Sequence, residues 1–219
     1  MLIGCATNPA IIKPPAKRGE PFTSNIYING KTMATPIVAK PVVPTSGVFT
    51  DERDSQNYKW VKIGSQIWMA QNLNYTTNTH SRIYNNNDSN GQLYGRLYSF
   101  DVLLQACPKG WHVPTDTEWM LLEKDLGLAY AESGAVGSRG DIAKKFLPGG
   151  IAGFNVLFGG WYTADGHFAD LGLSAYFWSS TGYGTPIAYH QIKKNKTGVY
   201  RNIIGREYGL SLRCVKDYW

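Results

Sequence analysis

The sequence predicts an α+β fold from three features. Thr115-Asp116-Thr117-Glu118 has the form of a helix start, and Trp119, Leu122 and Leu126 then fall on one helical face. From Gly153 onward the pattern changes to short strands separated by glycine-rich turns. Residues 58–70 alternate in the same way, so strands near both ends of the domain are available to pair.

Composition sets the class. A chain of 219 residues holds one well-buried domain with an extension, or two small domains. A hydrophobic fraction of 43% with 13% aromatics argues for a packed globule, and 17% charged residues falls below the usual level of about 25%. Surfaces rich in Tyr, Trp, Asn and Gly suit extracellular modules. The net charge is +6, and residues 174–219 supply most of it, with seven Lys or Arg against Glu207 and Asp217. These cations form no dense run and no nucleic-acid motif accompanies them, so nucleic acid is not an expected partner.

At the N-terminus, Leu2-Ile3-Gly4-Cys5 has the form of a lipobox. Only four residues precede Cys5, fewer than the charged and apolar regions of a signal peptide occupy. Either the start has been trimmed or assigned late, or the match is chance. Its position, the tether that follows and the even pair of cysteines that it leaves favour the first reading. Residues 1–5 are then the remnant of a lipoprotein signal, with Cys5 acylated and the protein in the cell envelope, at the outer membrane or cell surface. That compartment is oxidising, so Cys107 and Cys214 are expected to form a disulfide. Closing a loop of this length is worth about 4–5 kcal/mol in the chain-entropy model. No run of 18 apolar residues occurs, so the lipid is the one expected membrane contact.

Residues 6–48 carry seven of the eleven prolines and read as a semi-rigid spacer. Within it, residues 24–35 flank Asn29-Gly30, a strong hairpin signal. The main domain covers residues 49–219. Strands are expected at 58–63 and 66–70 about the turn Gly64-Ser65, and an irregular, Asn-rich surface loop at 72–90. A helix is expected over 93–105, stopped by Cys107-Pro108-Lys109-Gly110. The second helix starts at Thr115, its N-cap, with Glu118 completing a capping box and Gly127 ending it. A looser helix covers 141–146. Strands follow at 155–158, 161–163, 167–168, 176–179, 188–193, 199–201 and 211–216.

Five blocks in order carry a family resemblance: residues 58–73, with Trp60-Val61-Lys62-Ile63-Gly64-Ser65-Gln66-Ile67-Trp68-Met69-Ala70 at their centre; Gly95-Arg96-Leu97-Tyr98; Cys107-Pro108-Lys109-Gly110-Trp111-His112-Val113-Pro114; Phe177-Trp178-Ser179-Ser180-Thr181; and Gly209-Leu210-Ser211-Leu212-Arg213-Cys214-Val215. Over about residues 50–217 the chain resembles the Fibrobacter succinogenes major paralogous (FISUMP) domain. The resemblance implies a C-type lectin-like fold, with two main helices packed on twisted, short antiparallel strands and long irregular loops, as in retroelement-diversified variable proteins. It also implies a bridge from the helical region to the last strand, which fits Cys107 with Cys214. The fold hosts sugar binding, protein binding and one oxidase chemistry, so it does not fix the function.

Enzyme chemistries find little support in the residues. The Asn-rich stretch 85–90 offers one carboxylate, Asp88, where a calcium site needs several. Cys107 and Cys214 are better explained as structural than as a reactive oxidase pair. His80, His112, His167 and His190 are scattered, so no metal site and no cofactor is expected, and His112 reads as a frame residue. Asp165 with Asp170, and Asp51 with Asp54, lack a partner base. The expectation is a non-enzymatic, monomeric protein that binds an extracellular protein or glycan. The alternatives are a carbohydrate-active or protein-modifying enzyme of the envelope, and a structural component of a surface fibre.

The binding residues are expected in the C-terminal segment: Trp178, Tyr183, Thr185, Tyr189, His190, Asn195, Tyr200, Arg201, Asn202, Ile204 and Arg206. Tyr and Arg give large contact area with polar handles, and Asn adapts its hydrogen bonds. The resemblance adds that residues 183–206 correspond to the segment that diversified proteins vary. Two readings stand side by side: a retuned binding face, or tyrosines packed on the sheet with lysines solvating it. Ile203-Ile204 is either a buried strand edge or an exposed anchor.

Overall fold

The computed structural model describes residues 45–182 and 187–217, together with two short strands, β1 (Ile26–Ile28) and β2 (Lys31–Met33). Residues 1–42 and 43–219 are separate compact units. In the first, β1 and β2 pair antiparallel with Ile28 opposite Lys31, within the stretch 24–35 where the sequence predicts a hairpin; Asn29 and Gly30 are outside the described residues. Cys5 and the other spacer residues before 45, apart from these two strands, are outside the described residues, whereas spacer positions 46–48 belong instead to the first strand of the second unit, paired with residues 59–61.

The second unit is α+β, with four short helices and two sheets among the described residues. Its elements run β3 (Ser46–Thr50), β4 (Asn57–Ile63), β5 (Gln66–Met69), β6 (Ser81–Arg82), α1 (Asp88–Tyr94), β7 (Leu97–Ser99), α2 (Leu103–Ala106), β8 (Trp111–His112), α3 (Asp116–Asp125), β9 (Gly137–Arg139) and α4 (Ala143–Phe146). Then come β10 (Gly159–Tyr162), β11 (Phe168–Leu171), β12 (Ser174–Trp178), β13 (Ile187–Lys193), β14 (Val199–Ile204), β15 (Gly209–Ser211) and β16 (Val215–Lys216). The small sheet has the order β3-β4-β5-β16-β8. The large one runs β6-β7-β15-β10-β12-β13-β14-β9, with β11 added beside β10.

Helix α3 begins as predicted. The Thr115 Oγ1 accepts from the Glu118 N–H at 3.1 Å, and Glu118 Oε2 accepts from the Thr115 N–H at 2.8 Å. Trp119, Leu122 and Leu126 are buried in one core cluster with Trp68, Phe146, Phe154 and Phe177. Thr115→Ala removes the cap and is expected to lower stability by about 1 kcal/mol, read as a shifted urea midpoint at unchanged m-value.

Three predicted elements are corrected. The helix expected over 93–105 is broken: α1 ends at Tyr94, and β7 pairs with β15, Tyr98 opposite Leu210, before α2 begins. At Gly95 φ is +73° and a Cβ would stand 2.6 Å from the Leu73 carbonyl, so the chain turns there whatever the helical propensity around it. The strand expected over 211–216 is two strands in different sheets. Leu212, Arg213 and Cys214 cross between them, and residues 69 and 73 take the Cys214 and Leu212 carbonyls at 3.0 and 2.9 Å. Residues 155–158, expected as a strand, join no ladder: Asn155 is left-handed (φ +54°), and the Val156 N–H goes instead to the Phe146 carbonyl at 2.8 Å. The Asn-rich loop is also more ordered than predicted, since Asn87 caps α1 by accepting from the Ser89 N–H.

Val215 pairs with Trp68 on one side and His112 on the other, which ties the two ends of the domain together. Cys107 and Cys214 are disulfide-bonded. No described helix is long and apolar enough to cross a membrane.

Candidate ligand-binding face

Strands β10, β12 and β13 bring three aromatic side chains into a row on one face of the large sheet, and Tyr208 before β15 extends it. Trp161 stacks on Tyr208 at 5.1 Å and 8° between ring planes, and on Tyr176 at 5.0 Å and 18°. Tyr176 in turn meets Tyr189 at 6.0 Å. Trp161, Tyr189 and Tyr208 are half-buried. Rows of this kind offer area at low entropic cost, because each ring is already held by its neighbours.

Polar groups surround the row. The Tyr176 hydroxyl donates to Asp170, and burial together with that carboxylate pushes the phenol well above its ordinary pKa. Burial also raises Tyr189, partly offset by a hydrogen bond with Asn202, its cross-strand neighbour on β14. The Trp161 Nε1 is buried with no acceptor among the described residues.

Of the residues expected to bind, the structure brings Tyr189, Asn202 and Ile204 to or beside this row. Asn195 is exposed in the turn after β13, and Tyr200 is half-buried beneath the Lys193 ammonium, 4.3 Å from its ring centre. Arg206 is exposed, pairs with Asp101 at 3.0 Å and covers the Phe100 ring. The Ile203-Ile204 alternatives resolve by alternation: Ile203 is 51% exposed, whereas Ile204 packs against the core. Tyr183 and Thr185 fall outside the described residues.

Two expected binding residues are interior, a correction to the sequence reading. Trp178 is 1% exposed and donates through Nε1 to the Tyr98 carbonyl at 2.6 Å, so its polar atom and its area are both spent inside. His190 is 3% exposed, on the opposite side of β13 from Tyr189, and stacks on Trp119. Its Nδ1 faces Glu123 Oε1 at 2.8 Å and its Nε2 faces Asp116 Oδ1 at 3.1 Å.

These contacts belong to a charged network under the sheet. Arg139 on β9 pairs with Glu123 at 2.7 Å, and Arg201 grips Asp116 with Nε at 2.8 Å and Nη2 at 2.6 Å. Arg201, expected to meet a ligand, is therefore a frame residue for most of its guanidinium. Burial pushes the Asp116 carboxyl up, but hydrogen bonds and charge from His190 and Arg201 reverse this and hold it well below the usual carboxylate range.

The candidate acid pairs are likewise engaged. Asp51 is held by Arg53 at 2.7 Å, and Asp165 by Thr163 and, at 2.9 Å, by His167. His112 stands between Glu118 at 2.9 Å and Asp217 at 2.6 Å, as its reading as a frame residue implies; the Glu118 contact leads in raising its pKa. The described residues contain no group of three or more His, Cys, Asp or Glu poised around a metal.

Sequence reading missed Trp161, Tyr176 and Tyr208 as members of the face. Their signal was present as aromatics at strand positions, but the order β15-β10-β12-β13 that aligns them is not sequential. Residues 61–216 match the family model described as Fibrobacter succinogenes major domain. No curated protein and no solved structure matches the chain.

Proposed function

The chain belongs to the Fibrobacter succinogenes major domain family, and from that premise we propose that it is a non-catalytic recognition module displayed as a lipoprotein at the cell surface. On this reading Cys5 carries the lipid, the Pro-rich spacer that precedes β3 lifts the domain off the membrane, and a C-type lectin-like frame presents an aromatic face to an extracellular protein or glycan. The observation that carries it is the stacked row Tyr208–Trp161–Tyr176–Tyr189, with Asn202 as the cross-strand neighbour of Tyr189. The disulfide fits an oxidising compartment. The network of Asp116, Glu123, Arg139 and His190 suits a rigid frame, since its charges are committed to one another.

The full chain, screened against arrays of extracellular proteins and glycans, supplies the ligand for the test. Trp161→Ala, Tyr189→Ala and Tyr208→Ala are each expected to weaken its binding by about tenfold or more, with the circular dichroism spectrum unchanged. Lys124→Ala, on the exposed side of α3, serves as the control with unchanged affinity. Wild-type affinity in all three aromatic variants would remove this face from the reading. Incorporation of labelled fatty acid, lost in Cys5→Ser, tests the anchor. An imperfect repeat of the segment's coding sequence beside the gene would mark residues 183–206 as diversified.

A further inference from the structure

A second feature shares none of these residues. A groove of about 580 Å³ opens between β4, residues 70–74, the C-terminal end of α1 and residues 148–157. That volume falls within the roughly 300–1,000 Å³ of small-ligand sites. Seven of its sixteen described lining residues carry side-chain amides, with Gln56, Asn57, Gln71, Asn74 and Gln92 at accessible positions. Its charged lining residues are both cations, Lys59 at the exposed rim and Arg213 on the floor.

Arg213 is the unusual member, a charged residue in the otherwise apolar crossover between β15 and β16. It is 2% exposed and sandwiched by Phe154, 4.4 Å from its ring centre, and Phe177. Its Nε donates to Asn72 Oδ1 at 2.8 Å, Nη1 to the Phe154 carbonyl and Nη2 to the Asn155 carbonyl at 3.0 Å. Three of its five N–H groups therefore have acceptors among the described residues, and every one of these acceptors is neutral. Burial alone accounts for its lowered pKa, about 9, with no carboxylate acting on it. A cation without a charged partner at the base of a groove that has no acid among its described lining residues attracts an anion.

The remaining chemistry narrows the class. Amides donate and accept at once, which matches hydroxyls on a sugar ring. Strand β4 already has β3 and β5 on its two edges, so a peptide main chain has no free edge of β4 to join. We propose that this groove binds an acidic saccharide, its carboxylate drawn toward Arg213 and Lys59 and its hydroxyls held by the amide side chains.

The test titrates the full chain with a galacturonic acid trimer and with the neutral galactose trimer, by calorimetry. The acidic trimer is expected to bind at least about tenfold more tightly, with affinity falling as salt rises. Lys59→Ala is expected to weaken it about 3–5-fold and Asn74→Ala to weaken both trimers, while Trp161→Ala leaves them unchanged. Arg213→Lys keeps the charge but loses the fork, and where it folds it is expected to cost more than Lys59→Ala. Equal affinity for the two trimers, no binding at millimolar concentration, or a loss confined to Trp161→Ala would each overturn the proposal. Because the Lys59 and Trp161 variants probe different faces, this outcome is separable from that of the aromatic row.

Discussion

Replacing Asp116 with alanine is expected to destabilise the domain by about 3–5 kcal/mol, the range for removing one partner of a buried ion pair. Asp116 is 5% exposed and is the acceptor for both His190 and Arg201. Its loss strands two groups whose solvation was exchanged for these contacts, and leaves Glu123 with only part of the balance. The melting temperature should fall by about 10 °C, as fits a domain of this size. Removing Arg201 as well, as Arg201→Met, should recover part of the loss, because the stranded cation is then gone. The pH dependence has a definite sign. A carboxyl whose folded pKa is depressed contributes stability that is complete above its unfolded value near pH 4 and fades as pH falls through the folded value. The gap between wild type and Asp116→Ala should therefore be full at pH 7 and shrink in acid below about pH 4. A loss under about 1 kcal/mol at pH 7 would show that the network is solvated.

Cys107→Ser/Cys214→Ser is the second large effect, expected at about 2–5 kcal/mol. The bridge joins residues 107 apart in sequence, linking the end of α2 to the crossover between the two sheets. It holds in place the segment that contributes Leu210, Leu212 and Val215 to the two cores. Chemical reduction of the wild type should reproduce the double substitution in thermal unfolding. An unchanged melting temperature in both would mean that strand pairing alone fixes the crossover.

Several parts of the molecule are legible within a few residues of sequence. The capping box of Thr115 with Glu118, the pairing of residues 26–28 with 31–33 and the stripe of Trp119, Leu122 and Leu126 all rest on neighbours three to seven positions apart, where local geometry leaves few choices. The misreadings share a cause. Residues 97–99 have helical surroundings, but three backbone pairings with β15 outweigh propensities worth a few tenths of a kcal/mol each. Tyr189 and His190 are adjacent and of similar polarity, yet strand alternation places one at the surface row and the other in the charged network.

Local pattern, and which residues water rejects, suffice for the α+β class, the main helix and its cap, the pairing of the two ends and the disulfide cysteines. It took the folded arrangement to assign Arg201 and His190 to the frame, to align Trp161, Tyr176, Tyr189 and Tyr208 in one row, and to set Arg213, with neutral acceptors alone among the described residues, beneath a groove rich in amides. Those outcomes depend on partners 58 to 141 residues apart for the charges, and on a non-sequential strand order for the rings. Such neighbours are chosen by how the sheets close, and no window of local sequence contains that choice.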